Sequence, residues 1–310
     1  MKTLNIFLLL LISTFSYAQQ VKGIIEDSIS GEKISYATVY IKNIPSKGCY
    51  SNANGMFNIT CSASDTLCII ALGYTKVFVP VNNTMLNSYT NFKLVRENKL
   101  LPEVIVSNAK RKTNIKLSLG FHKRKKEIRY PGILGAKIIV FIDSIINKDE
   151  YTISKLFFSI AKPYPYNINS DGNSFGRKNF STGSVRILLY DADTVNNEGN
   201  FKNLLPEDII CEAKLKNYLL NVDVSKFNIT FPNKGVYLGL EWLGEKDSDT
   251  TLMVYKYNIA PEYFRSRNNN PKSLISYFDN KFYNPFDVPE NKNSTPKNIP
   301  NFGLELIKTD

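Results

Sequence analysis

Between Val21 and Arg96 apolar and polar residues alternate in short runs closed by turn residues, and no run keeps a helical period for long. Ala37, Val39 and Ile41 alternate with Tyr36, Thr38 and Tyr40, so one face of that strand is expected in a core and the other half in water. Asn54-Gly55 supplies the two residues that best tolerate positive φ, which predicts a tight hairpin turn. Phe57 and Ile59 then share a face, and Leu67, Ile69 and Ala71 repeat the pattern before Gly73-Tyr74 breaks it. Strands this short cannot each bury a face alone, so a small sandwich of two sheets is the expected packing. Aromatic residues, 12 % of the chain and mostly Tyr and Phe, favour the same outcome because they pack well on pleated surfaces.

Four segments carry a resemblance: Gly23 to Asp27, Gly31 to Ile41, Ser51 to Ile59, and Leu72-Gly73-Tyr74. In this order and spacing they resemble the carboxypeptidase regulatory-like domain over residues 21–96, about a quarter of the chain. The resemblance implies a seven-stranded transthyretin-like sandwich that acts as an accessory module and has no catalytic residues of its own. Ser51 stands where that family usually carries Thr, and Cys49 is atypical beside Gly48. Leu101-Pro102-Glu103-Val104-Ile105-Val106 looks like the segment that follows such domains in outer-membrane receptors. About two hundred residues remain, too few for a receptor barrel of about 22 strands. A zinc carboxypeptidase is excluded as well, since His122 is the chain's one histidine.

Strand-like runs resume at Lys137 to Ile142, Ile153 to Ile160, Val185 to Tyr190, Tyr218 to Val224, Gly235 to Leu243 and Leu252 to Tyr257, with turn residues such as Pro232-Asn233-Lys234-Gly235 between them. They predict a second β-sandwich, jelly-roll-like, over residues 132–290. The chain therefore reads as all-β. It divides into a leader at 1–18, the first sandwich at 19–97, a basic linker at 98–131, the second sandwich, and a tail at 291–310. That tail is rich in Asn, Pro and Lys and is expected to wrap the surface or stay mobile.

The leader has Lys2 before an uninterrupted apolar run from Ile6 to Ile12 and small residues at Ser16 and Ala18. That pattern predicts an export signal cut near Gln19, and the apolar core is too short to span a bilayer. No transmembrane span is expected in the mature chain, which is placed in the periplasm or at the surface of a Gram-negative cell, with peripheral outer-membrane association as an option. The formal charge is +11, much of it between Lys110 and Arg129. In an exported chain such a surplus points to anionic surface polysaccharide or lipid head groups and away from nucleic acid, and the expected partner is an envelope protein or an anionic glycan. Cys49, Cys61, Cys68 and Cys211 all lie in the exported part. We expect one disulfide among the first three and a free, buried Cys211.

Catalytic chemistry finds little support. His122 sits in the basic linker between Phe121 and Lys123, and no G-x-S-x-G, phosphate loop or H-E-x-x-H occurs. Glu241 beside Trp242 has the residue types of a sugar site, an acid next to an aromatic platform. The plainer reading puts Glu241 on the outer face of a strand and Trp242 in the core. Asp191 and Asp193 read as turn residues, with calcium ligation as the alternative. Tyr164 and Tyr166, held between prolines in Lys162-Pro163-Tyr164-Pro165-Tyr166, present flat rings for binding. Asp27-Ser28-Ile29, Asp65-Thr66-Leu67, Asp143-Ser144-Ile145 and Asp193-Thr194-Val195 resemble the O-glycosylation acceptor motif of some exported bacterial proteins. The sequence thus implies no catalytic residue, no metal and no cofactor. It implies a non-catalytic envelope binding or scaffold protein with Tyr164, Tyr166, Glu241 and Trp242 as candidate ligand contacts. A carbohydrate-active enzyme or lectin-like protein working through the second module is the alternative.

Overall fold

The computed structural model describes residues 19–97, 115–120, 128–129, 134–144, 150–161, 182–195, 201–214, 219–244, 260–266, 273–279, 281–282 and 297–308. The chain separates into two compact units, one ending at Arg96 and the other starting at Glu97.

Seven strands form the first unit: β1 (Gln20–Asp27), β2 (Thr38–Ile41), β3 (Ile44–Tyr50), β4 (Met56–Thr60), β5 (Thr66–Ile70), β6 (Val77–Pro80) and β7 (Tyr89–Leu94). One sheet runs β4-β1-β7, with β1 and β7 parallel, and the other runs β3-β2-β5-β6. Val21, Ile25, Val39, Leu67, Ile69 and Leu94 are fully buried between them. Alternation explains this: Val39 and Ile41 enter the core, as do Phe57 and Ile59. The opposite face of β2 differs from expectation, since Thr38 and Tyr40 are buried too.

Asn54-Gly55 also works differently from a hairpin. It joins β3 to β4, which belong to different sheets. Only Gly55 of the pair has positive φ, at 70°, and a Cβ there would lie 2.5 Å from the Ile25 carbonyl oxygen. The turn carries the chain across the sandwich and needs glycine both for its backbone angle and for the close approach to β1. The Asn52 side chain closes the turn by accepting from the N–H groups of Asn54 and Met56. Ser51 keeps the role that a hydroxyl has here: it accepts from Ala37 N–H at 2.9 Å and donates to Ile34 carbonyl at 2.7 Å.

The second unit is built from β8 (Ile115–Leu119), β9 (Ile128–Arg129), β10 (Lys137–Ile142), β11 (Thr152–Ala161), β12 (Thr182–Val195), β13 (Phe201–Asn203), β14 (Ile210–Lys214), β15 (Leu219–Asp223), β16 (Ile229–Thr230), β17 (Val236–Gly244), β18 (Ala260–Ser266), β19 (Ser273–Ser276), β20 (Lys297–Pro300) and β21 (Phe302–Lys308). A six-stranded sheet runs β13-β12-β17-β10-β19, with β14 also on β12. An eight-stranded sheet runs β20-β18-β11-β21-β8, with β15 and β16 on β11 and β9 on β18. Leu189, Leu238 and Leu240 from the first sheet and Ile153, Phe158 and Leu304 from the second share one core, which makes the unit a β-sandwich.

Two boundaries move. Residues 302–308, expected in a surface tail, form β21 between β11 and β8, and Leu304 and Leu306 are fully buried. The Asn-rich composition of the tail ends before Phe302, and alternation of Phe302, Leu304 and Leu306 supplies the apolar face of a strand. Ile115–Leu119, expected in the basic linker, is the edge strand beside it, with Lys116 Nζ 3.6 Å from Glu305 Oε1. Among the described residues no helix is long and apolar enough to cross a membrane. The leader, His122 and the run from Leu252 to Tyr257 lie outside the described residues.

The four thiols are free. Alternation along β5 sends Leu67 and Ile69 inward and Cys68 to the opposite face, away from the core that holds Cys49 and Cys61. Burial pushes the Cys49 thiol up to about 12. Cys211, expected to be buried, is half-buried.

Candidate functional site

Two polar constructions stand out, one in each unit. In the first, Asp27 closes the end of β1 and is 1 % exposed. Its Oδ1 accepts from the N–H groups of Ile29 and Ser30, and its Oδ2 accepts from the Tyr74 hydroxyl at 3.0 Å and from Arg96 Nε at 2.5 Å. The Arg96 guanidinium and the two loop N–H groups hold the Asp27 carboxyl well below the usual carboxylate range. One carboxylate thus ties together the end of β1, the loop after it, the Gly73-Tyr74 segment and the last residue of the unit. Asp65 similarly accepts from Ser62 N–H, so two of the four Asp-Ser/Thr motifs spend their aspartate on turn closure.

Asp27 and Gly73-Tyr74, from two of the segments that carry the family resemblance, thus meet in the fold, and the family match spans residues 21–106. This segment is a CarboxypepD_reg-like domain. Its seven strands, save the first residue Gln20, and its Asp27–Tyr74 contact lie within the matched span, which runs ten residues past Arg96. No curated protein matches the chain. Two solved structures are similar at low identity. A "putative carbohydrate binding protein" from Bacteroides uniformis ATCC 8492 shares 10 % identity over 78 % of this chain and 94 % of its own, with a TM-score of 0.20. A DUF3823 family protein from Parabacteroides merdae ATCC 43184 shares 9 % over 73 % of this chain and 100 % of its own, with a TM-score of 0.18. Superpositions this loose bear on neither fold nor ligand.

Beyond the CarboxypepD_reg-like domain, the second construction covers the outer face of the six-stranded sheet. Along β17, Val236, Leu238, Leu240 and Trp242 point into the core, which leaves Tyr237, Gly239 and Glu241 on the other side. Register then aligns three rows. Arg186, Glu241, Lys137 and Ser276 are successive partners across β12, β17, β10 and β19. Leu188, Gly239, Ile139 and Leu274 form the next row, and Tyr190, Tyr237 and Phe141 the third. Gly239 has to lack a side chain, because a Cβ would lie 2.1 Å from the Ile138 carbonyl oxygen.

The first row is a sealed ion cluster. Glu241 is 1 % exposed, with Oε2 2.6 Å from Arg186 Nη1 and Oε1 3.4 Å from Lys137 Nζ. Arg186 Nε also faces Asp208 Oδ2 at 3.2 Å. Burial lowers the Lys137 ammonium against the pull of Glu241, and burial raises the Asp208 carboxyl against the pull of Arg186. A buried carboxylate flanked by two cations is neutralised in place.

The third row carries rings. Phe201 lies 4.6 Å from Tyr237 and 5.6 Å from Phe282, Phe141 lies 5.4 Å from Tyr237, and Tyr190 lies 5.9 Å from Phe282. Phe141, Phe201, Tyr237 and Phe282 are half-buried, while Tyr190 is buried and its hydroxyl pushed up by that burial. The result is a continuous aromatic patch whose rings tilt by 39° to 67° against one another at these contacts.

Of the four candidate contacts, Trp242 is 1 % exposed with its indole in the core, out of reach of a sugar face. Glu241 does lie on the outer face of its strand, yet it is sealed there and paired. Tyr164 and Tyr166 lie outside the described residues. Asp191 and Asp193 sit in β12 instead of a turn: Asp193 N–H donates to Asp191, and Lys234 pairs with Asp193. Lys137, Arg186 and the aromatic patch escaped sequence reasoning. Their signal is a single charged residue flanked by apolar neighbours in each strand, at Ala136-Lys137-Ile138, Val185-Arg186-Ile187 and Leu240-Glu241-Trp242.

Proposed function

We propose that this is a non-catalytic binding protein of the cell envelope, in which the second unit holds its partner on the outer face of the six-stranded sheet. The carrying observation is the patch of Phe141, Phe201, Tyr237 and Phe282, half-exposed on the outer face of the sheet, two register rows from the cluster in which Glu241 is paired with Lys137 and Arg186. Interfaces of specific complexes have this make-up, with aromatic anchors at the centre and charged side chains depleted there. Mutually tilted rings present ridges and slots for apolar side chains, which favours a protein partner over the flat face of a sugar. The CarboxypepD_reg-like domain then serves as a docking or spacing module, and the leader directs export to the periplasm or surface.

Exchanging Tyr237 and Phe201 together for Ala is expected to lower recovery of the partner from envelope fractions by about tenfold or more, since central anchors contribute about 2 kcal/mol or more each. Unchanged recovery, with the β-sheet circular dichroism intact, removes the reading. N-terminal sequencing of the native protein tests export, with Gln19 as the expected first residue. The carbohydrate-active alternative needs a carboxylate that reaches a glycosidic oxygen, and Glu241 has no exposed oxygen to offer. Release of reducing ends from envelope polysaccharide by the purified protein would favour that alternative.

A further inference from the structure

The first unit carries a second surface of different chemistry, independent of the reading above. Along β1, Val21 and Ile25 enter the core, which leaves Gln20, Lys22, Ile24 and Glu26 on the outer face of the three-stranded sheet. β4 adds Met56, Asn58 and Thr60 to that face, and β7 adds Tyr89, Asn91 and Lys93. Register sets Asn58, Lys22 and Tyr89 in one row, with Met56, Ile24 and Asn91 in the next. Gln20 and Thr60 are partners on the other side of that row. Neighbouring strands stand about 4.8 Å apart, so the row from Asn58 to Tyr89 spans about 10 Å, the length of a disaccharide.

The polar groups of this face are only partly satisfied. Asn58 Nδ2 donates to Gln20 Oε1 at 3.0 Å, but Asn58 Oδ1 is buried and finds no donor among the described residues. A carbonyl oxygen taken from water without a donor is a net cost to the fold. Its neighbours on the face, Gln20 and Lys22 across the sheet and Met56 and Thr60 along the strand, are half-buried or exposed, so side-chain rotation opens a way to it. Lys22 has no acidic partner among the described residues: Glu26, the acid of β1 on this face, stands two rows away and is paired with Lys33. At the end of the row the Tyr89 ring is 71 % exposed.

A pyranose answers all three. Its C–H face lies on an aromatic ring, whose negative π face attracts partly positive hydrogens. Its hydroxyls both donate and accept, which suits an oxygen short of a donor and an ammonium short of an acceptor. An apolar protein anchor would leave the Asn58 oxygen unsatisfied, and a phosphate or carboxylate brings it no donor. We propose that Tyr89, Lys22, Asn58 and Gln20 form a binding site for a neutral polysaccharide on the three-stranded sheet of the CarboxypepD_reg-like domain.

Saturation-transfer NMR of the full chain with maltohexaose, cellohexaose and mannohexaose tests it. Transfer to at least one of the three is expected, strongest at the C–H protons of the stacked ring. Tyr89→Ala should weaken binding of that sugar by about tenfold and Asn58→Ala by about fivefold, whereas Tyr89→Phe, which keeps the ring, should retain it. Circular dichroism should stay unchanged in Tyr89→Ala, because the side chain stands mostly in water. Transfer to none of the three, or transfer that Tyr89→Ala leaves unchanged, would overturn the proposal. Loss of an envelope protein from pull-downs with Tyr89→Ala, without loss of the sugar, would give the face to a protein and overturn it too. Tyr237→Ala with Phe201→Ala should leave the transfer intact, so failure here and failure of the partner-binding face are read separately.

Discussion

Asp27 and Glu241 are both carboxylates at 1 % exposure, yet the molecule uses them in opposite ways. Asp27 is served by two N–H groups of the following loop, by the distant Tyr74 hydroxyl, and by one cation whose side chain is 56 % exposed. Glu241 is served by buried Lys137 and by Arg186, whose side chain is 11 % exposed, both brought to it from neighbouring strands by sheet register. The first closes a loop and leaves its counter-ion half in water. The second neutralises the middle of a sheet so that an aromatic surface can lie beside it. A loop clamp tolerates a weak partner, whereas a buried cluster fails as a unit when one member goes.

The largest expected effect follows from that distinction. Glu241→Gln should destabilise the second unit by about 3–5 kcal/mol, because Lys137 and Arg186 are left buried without their anion. Trp242, the one tryptophan of the chain, reports that unit alone through its fluorescence in urea titrations. Replacing Lys137, Arg186 and Glu241 together by Met, Met and Leu should recover most of the loss. A triple variant as unstable as the single one would mean that the row is more than a neutral set. Asp27→Asn should destabilise the first unit by a smaller amount, seen as faster amide exchange in β1 and around Tyr74, because three hydrogen-bond donors remain and Arg96 can turn to water.

Acid separates the two further. The depressed Asp27 carboxyl lends stability that is complete above about pH 4, the unfolded value, and that declines as the pH falls below it. The raised Asp208 carboxyl acts in the reverse sense: its contribution is greatest below about pH 4 and is lost as the pH rises through the folded value. Between pH 7 and pH 4, then, the protection factors of amides in the first unit should stay level, while Asp208→Asn should make the stability of the second unit less dependent on pH. The smallest effect is chemical. In the native state Cys49 should resist iodoacetamide for hours while half-buried Cys211 is modified first, as peptide mass spectrometry would show.

Local pattern carried much of this architecture. Alternation at Ala37, Val39 and Ile41, or at Leu67 and Ile69, depends only on which residues share a strand face, and that is legible in one chain. What lay across the sheet was hidden. Lys137 and Arg186 meet Glu241 through register between β10, β17 and β12, and nothing in a linear pattern fixes which strands become neighbours. The same blindness placed Asn54-Gly55 in a hairpin, since the residues that favour a reversal also serve a crossing between sheets. It also treated 291–310 as one tail, because the composition of its first ten residues masked the alternation of Phe302, Leu304 and Leu306.

β21 has a further consequence for how the polypeptide reaches its final state. Ser154 in β11 bonds to Glu305 in β21 across 151 positions of sequence, so the centre of the eight-stranded sheet is joined only when distant stretches find one another. Contacts of that range slow folding, because loop closure precedes the reward of pairing. During synthesis one edge of β11 must wait unpaired until β21 has emerged, an interval in which a holding chaperone would protect it from aggregation.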